Sequence, residues 1–172
     1  MDKKNIPYPY PADMARQNDE IHLYRESFQT NKACAEMIDK VIQASRYEDN
    51  GYDLRTAVND VIDAYGTDRM NWVLANTLQN NEYDRRFSRS NTEWAKGFAI
   101  PKDRNMSSYE LKSHPEHINN FILKAREICS EHYNAHKQEK PSILGQVKEN
   151  AASITQADKK DAPNKKNELE VT

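Results

Sequence analysis

The sequence predicts an all-α domain of four to five helices, with an extended Pro/Tyr-rich N-terminal arm and a disordered C-terminal tail. Three observations predict it. Apolar residues recur at three-, four- and seven-residue spacings along most of the chain, the period of a helix face. No segment sustains the alternation and β-branched enrichment of a strand, although Lys96 to Ile100 leaves room for one short strand. All fifteen aromatic residues fall between Tyr8 and Tyr133, so core-forming potential stops near the end of the last helix.

The elements follow in chain order. Residues 1–11 form the arm, in which Pro7, Pro9 and Pro11 keep the backbone extended while Tyr8 and Tyr10 pack onto the body. Pro11 suits the first turn of a short helical piece from Ala12 to Gln17. From about Asp19 to Ser45, Tyr24, Phe28, Ala35, Ile38 and Ile42 make one helical stripe. Arg46 to Gly51 breaks it. Asp53 is a good N-cap for the next helix, whose Leu54, Ala57, Val58, Val61, Ile62 and Tyr65 form an apolar face before Gly66 stops it. Thr67 can cap a further helix with Met70, Val73, Leu74 and Leu78 inward, leaving at Asn80 and Asn81. Ser90 with Glu93, and Ser113 with Glu116, read as capping boxes. They open a short helix carrying Trp94 and a last helix carrying Ile118, Phe121, Ile122, Ala125, Ile128, Cys129 and His132.

The helical domain is thus assigned to residues 12–137 and the disordered tail to 138–172. Pro, Ser, Asn and mixed charges dominate that tail, and it has too little apolar surface to offset the entropy of ordering. Within it, PSILGQV at Pro141 to Val147 reads either as a short docking motif or as a linker stub.

Composition narrows the function. With 172 residues there is room for one domain and extensions. No run of eighteen apolar residues occurs, and the mean hydropathy is -1.03, so no membrane span is expected. MDKKNIPYPYP lacks the apolar region of a secretory signal, which predicts a cytoplasmic protein. Cys34 and Cys129 are too few for a disulfide framework and read as reduced thiols. A net charge of -2, from 25 basic and 27 acidic residues, argues against a bulk electrostatic grip on nucleic acid but allows local patches.

No enzyme signature is found. The four glycines are isolated, so no phosphate-cradling loop exists, and no serine occupies a nucleophile elbow. A non-enzymatic protein without cofactor is expected. Cys129, His132 and His136 fall at i, i+3 and i+7, with His114 and His117 near the helix start, but the paired knuckles of a structural zinc site are missing. Core cysteine and surface histidines is the preferred reading, and no metal is expected.

Two charged regions are candidate binding sites for a partner or nucleic acid. The first is DRRFSRSNTEWAK, Asp84 to Lys96, where Arg85, Arg86, Arg89 and Lys96 interleave with Phe87 and Trp94. Arginines beside aromatics suit recognition of phosphate or carboxylate with stacking. The preferred alternative is an internal loop, with Phe87 and Trp94 anchored in the core and the arginines paired with Asp84, Glu93 and the acidic helix. The second is a group of six carboxylates, Glu48, Asp49, Asp53, Asp60, Asp63 and Asp68, of which Asp60 and Asp63 are the chosen pair. It reads as a solvated helix face or as a negative surface that competes for a nucleic-acid groove.

Several motifs together resemble a bacterial family of domains of unknown function. They are YPYP at Tyr8 to Pro11, N-x-x-C at Asn31 to Cys34, G-x-D-R at Gly66 to Arg69 and VLANT at Val73 to Thr77. RFS at Arg86 to Ser88, W-A-K at Trp94 to Lys96, I-P at Ile100 and Pro101, and SHP at Ser113 to Pro115 complete the set. The resemblance covers about Pro7 to Tyr133. It implies a setting on conjugative elements and prophages of gut Firmicutes, where several small proteins are anti-CRISPR inhibitors of Cas9. The function it implies is binding to Cas9 or to the Cas9–guide RNA complex, with DNA binding or cleavage blocked. The alternative is an accessory or adaptor of a conjugative element or phage, with DNA or RNA as its partner. The oligomeric state is left open.

Overall fold

Pro11, at φ -69° and ψ 162°, ends the arm in the extended form that proline favours, and its carbonyl accepts the Ala15 N–H of the first helical turn. The computed structural model describes residues 5–47, 52–103 and 109–139. Among these residues six helices occur, against the four to five expected: α1 (Ala12–Gln17), α2 (Ile21–Ser45), α3 (Leu54–Tyr65), α4 (Thr67–Asn80), α5 (Arg89–Ala95) and α6 (Pro115–Glu139). No strand occurs among the described residues, so the chain is all-α as its periodicity predicts, with α1 and α5 as the short members.

Helix α2 starts two residues later than its stripe suggests. Asp19 adopts φ 58°, a left-handed conformation that aspartate tolerates better than most residues, and this turns the chain sharply between α1 and α2. Helix α3 matches its sequence signals at both ends. Asp53 is extended and accepts the Thr56 N–H at 2.8 Å, and Gly66 follows Tyr65. Gly66 alone joins α3 to α4, with φ 77° and ψ 158°, a region open essentially to glycine. It therefore serves as the N-cap of α4, and Thr67 is a helical residue, not the cap its hydroxyl suggested. A Cβ at Gly66 would also lie 2.7 Å from the Asn5 Cβ. Gly66→Ala is expected to cost at least about 1–3 kcal/mol, seen as a lower urea midpoint at unchanged slope. An unaltered midpoint would show that the arm and the joint relax freely.

Neither capping box forms as its spacing predicts. Ser88, not Ser90, caps α5, its Oγ accepting the Asn91 N–H at 3.2 Å. The entry is set two residues upstream of α5, where buried Phe87 anchors the chain and its N–H bonds the Asp84 carbonyl. At α6, the Ser113 hydroxyl donates to Asp39 at 2.6 Å, and His114 Nδ1 accepts the Glu116 N–H at 3.3 Å. Lys96 to Ile100 forms turns, and the Gln79 amide donates to the Ala95 and Phe98 carbonyls at 2.8 and 2.9 Å. Those carbonyls are thereby withheld from any sheet ladder.

Helix α2 packs on α1, α3 and α4, α3 packs on α4, and α4 packs on α5. One apolar cluster joins them, with Ile38 and Ile42 from α2, Val58 from α3, Leu74 from α4 and Phe121 and Ile122 from α6. Of the stripe read on α6, Ile118, Phe121, Ile122, Ala125 and Ile128 are at most 1% exposed, whereas Cys129 is half-buried and His132, beyond the end of the packed body, is exposed. By its contacts the body ends at Glu131, and α6 runs on from His132 to Glu139. The tail assigned to 138–172 lies, from Lys140, outside the described residues, as does PSILGQV. No helix among the described residues is long and apolar enough to cross a membrane.

Candidate functional site

The arginine segment is divided by its own turn. Arg86 forks onto the Asp84 carboxylate at 2.6–3.1 Å, and this hydrogen bonding holds Asp84 down at about 2. Lys96 pairs with Glu93 at 2.8 Å, one turn away on α5. Both are surface pairs, worth little in stability. Arg85 and Arg89 point to solvent, and neither forms an ion pair with a described residue. Trp94 is half-buried. Its ring meets Phe98 edge-on at 4.9 Å and lies under the Arg126 guanidinium at 5.9 Å. Arg126 also donates to Ser90 Oγ at 3.0 Å and Asn91 Oδ1 at 2.9 Å. Asn91, fully buried, donates to the Asn119 carbonyl and Oδ1, both at 3.2 Å. The segment is thus bolted to α6 through Trp94 and Asn91, while Arg85 and Arg89 remain available.

The acidic group also separates. Glu48 and Asp49 lie outside the described residues, and Asp53 serves as the α3 cap. Asp60 accepts the Tyr52 hydroxyl at 2.7 Å, and burial together with this bond pushes the Tyr52 phenol up to about 12. Asp63 and Asp68 are exposed. Arg55, the cation on α3, is held by Glu127 and Glu131 of α6 at 3.2 and 2.9 Å. No ion pair among the described residues joins Asp60 or Asp63 to the arginine segment. The salt-bridge loop is real within residues 84–96 but does not extend to α3.

The structure also assembles a cluster that charge and spacing did not single out. Arg69, in the first turn of α4, is 2% exposed. Its Nη1 donates to the Ser27 carbonyl at 3.1 Å, to Ser27 Oγ at 3.2 Å and to Asn31 Oδ1, and its Nη2 donates to the Ile6 carbonyl at 3.0 Å. Ser27 Oγ in turn accepts the Tyr8 N–H at 2.8 Å. Burial lowers the Arg69 pKa, yet a guanidinium stays charged at any ordinary pH. Three motifs of the sequence, YPYP, N-x-x-C and G-x-D-R, therefore meet at one place. That convergence is the signal by which the cluster could have been found.

Beside it lies a cleft lined by Tyr24, Phe28, Trp72, Tyr109 and Asp103 together with Tyr8, Tyr10 and Pro11 of the arm. What remains is about 20 Å³ for the centre of a water molecule, room for roughly one water. Asp103 accepts the Tyr24 hydroxyl at 2.6 Å and the Ala12 N–H at 3.1 Å. Tyr8 donates to Glu20 at 2.6 Å, which pushes its phenol up to about 12. Tyr8 is half-buried and Tyr10 is 45% exposed, so the two arm tyrosines divide between packing and solvent.

Neither thiol is activated. Burial pushes Cys34 up to about 12 and raises Cys129, which keeps both as neutral thiols at neutral pH. Among the described residues no group of three or more His, Cys, Asp or Glu is placed to hold a metal ion. His132 is exposed, and the His136 side chain is outside the described set.

No curated protein and no solved structure matches the chain. One family profile, described as a protein of unknown function (DUF3849), matches residues 7–130, a span that begins in the arm at Pro7 and ends one residue before the body does. It contains the arm anchor, the acidic helix and the arginine segment, and the chain belongs to this DUF3849 family.

Proposed function

We propose that this protein works in the cytoplasm by binding a macromolecular partner, without catalysis, and that the partner is a Cas9 effector or its guide-RNA complex. Binding would block the effector's capture or cleavage of DNA. The observation that carries the reading is the charge state of α3. Its one arginine is held by Glu127 and Glu131, so Asp60 and Asp63 present negative charge that no described cation offsets. Asp60 is also fixed in place by Tyr52. A positively charged channel and PAM-reading arginines are the surfaces such a face would fit. The resemblance to small mobile-element proteins supports the choice of effector, and the buried neutral thiols disfavour cysteine nucleophiles.

The test is plasmid cleavage by purified Cas9 and guide RNA, with this protein added before or after target DNA. Inhibition only on addition before DNA is expected, and the doubly reversed variant Asp60→Lys, Asp63→Lys should need at least about tenfold more protein, equivalent to about 1.4 kcal/mol. Undiminished inhibition by the variant would remove the acidic face from the mechanism, and no inhibition by the natural chain would remove the reading.

The outward Arg85 and Arg89 favour a second reading, an accessory that binds DNA or RNA directly or an adaptor on a conjugative element or phage. It predicts a gel shift that weakens steeply with salt and is lost in Arg85→Glu, Arg89→Glu. No shift at low salt would sink it.

A further inference from the structure

Among the described residues, the hydrogen bonds that hold the arm pair body side chains with an extended Pro/Tyr segment. The body supplies the Arg69 guanidinium to the Ile6 carbonyl, Ser27 Oγ to the Tyr8 N–H and the Glu20 carboxylate to the Tyr8 hydroxyl. Pro7 is buried, while Gly66 leaves space against Asn5 that a side chain would fill. Rings complete the groove: Tyr8 meets Tyr24 edge-on at 6.3 Å, and Tyr24 stacks on Phe28, which meets Tyr109 at 5.7 Å. Proline-rich segments are recognised in this way elsewhere, by aromatic-lined grooves that read a pre-extended backbone at low entropic cost.

The receptor side comes largely from α2 and its N-cap, joined by Arg69 of α4. Arg69 is oriented by Asn31 and Ser27, both buried on α2, and Glu20, Tyr24 and Phe28 lie on the same element or its N-cap. The occupant is a chain segment that ends at Pro11 and joins the body through the short helix α1.

We propose that this groove is a binding site for extended Pro/Tyr segments of the pattern Ile-Pro-Tyr-Pro-Tyr-Pro, and that the chain's own arm is its resident ligand, exchangeable for the same pattern in a partner protein. The proposal is independent of the Cas9 reading. Tethering gives the arm a millimolar effective concentration, so a competing segment binds the natural chain weakly and gains affinity when the arm's hold is loosened.

The experiment measures fluorescence anisotropy of a labelled peptide, Asn-Ile-Pro-Tyr-Pro-Tyr-Pro-Ala, titrated with full-length protein. Tyr8→Ser alters only the resident arm, removing its bond to Glu20 and its ring contacts. It should bind the peptide at least tenfold more tightly than the natural chain, and a peptide with both tyrosines replaced by serine should not bind. Tyr8→Phe, which removes only the hydroxyl, should fall between, and it serves as the test if Tyr8→Ser does not fold. Folded variants that bind the peptide no better than the natural chain, or that bind the serine peptide equally well, would overturn the proposal.

Discussion

Arg69→Ala is expected to destabilise the protein by about 2–5 kcal/mol, because several buried acceptors lose a charged donor at once. The guanidinium serves three residues at once. Without it the buried Ser27 carbonyl and Asn31 Oδ1 lose a charged donor, at about 1–3 kcal/mol for each group left unsatisfied and with less than full additivity, while Ser27 Oγ keeps the Tyr8 N–H. Arg69→Lys keeps the charge but cannot reach Asn31 and Ile6 together, because an ammonium lacks the planar fork. Its loss should be smaller than that of alanine but still above about 1 kcal/mol. Urea denaturation gives the free energies, and acrylamide quenching of the fluorescence of Trp72, which lines the cleft beside the arm, reports whether the arm has been released. A loss below about 1 kcal/mol for alanine would show that water replaces the guanidinium.

Phe121→Ala should cost a similar amount, about 3–5 kcal/mol, for a different reason. Its ring is fully buried in the cluster that also holds Ile38 and Leu74, so its removal leaves a cavity as well as lost transfer energy. Leu123→Ala, two residues on and 48% exposed, should change stability by no more than about 0.5 kcal/mol. The two large effects separate by protease sensitivity at native concentrations. The Arg69 variant should show raised tryptophan quenching while its body still resists trypsin, whereas the Phe121 variant should lose resistance throughout. Equal losses at Phe121 and Leu123 would mean that α6 is not held by the stripe that faces inward.

These two residues also mark where the sequence was readable. Phe121 lies on a run of helical spacings, and the structure buries that run from Ile118 to Ile128, losing it only at Cys129 and His132 where the packed body ends. The limits of α3 were equally open, because Asp53 and Gly66 act on their immediate neighbours. Arg69 was hidden, since an arginine in a first helical turn reads as solvated. Yet Arg69, Val73 and Asn76 occupy one buried stripe of α4, and the groups that accept its protons lie 38, 42 and 63 residues away. The capping boxes failed for the same reason, a local donor or acceptor claimed by a distant group. The candidate surfaces were legible by composition alone. Which charges are already paired depended on turn geometry at Asp84 and on the approach of α6 to Arg55.

Asp39 carries a consequence for the order in which the chain acquires its structure. Its carboxylate accepts the N–H groups of Lys112 and Ser113 at 2.9–3.1 Å and the Ser113 hydroxyl at 2.6 Å, across 73 and 74 residues. The entry to the longest C-terminal helix is therefore fastened by a side chain of α2. Helix initiation is the unfavourable step of helix growth, and closing so long a loop adds its own entropy. Folding kinetics should then couple the two halves of the body: the start of α6 matures only after α2 is in place, and unfolding of α2 withdraws the fastening from both.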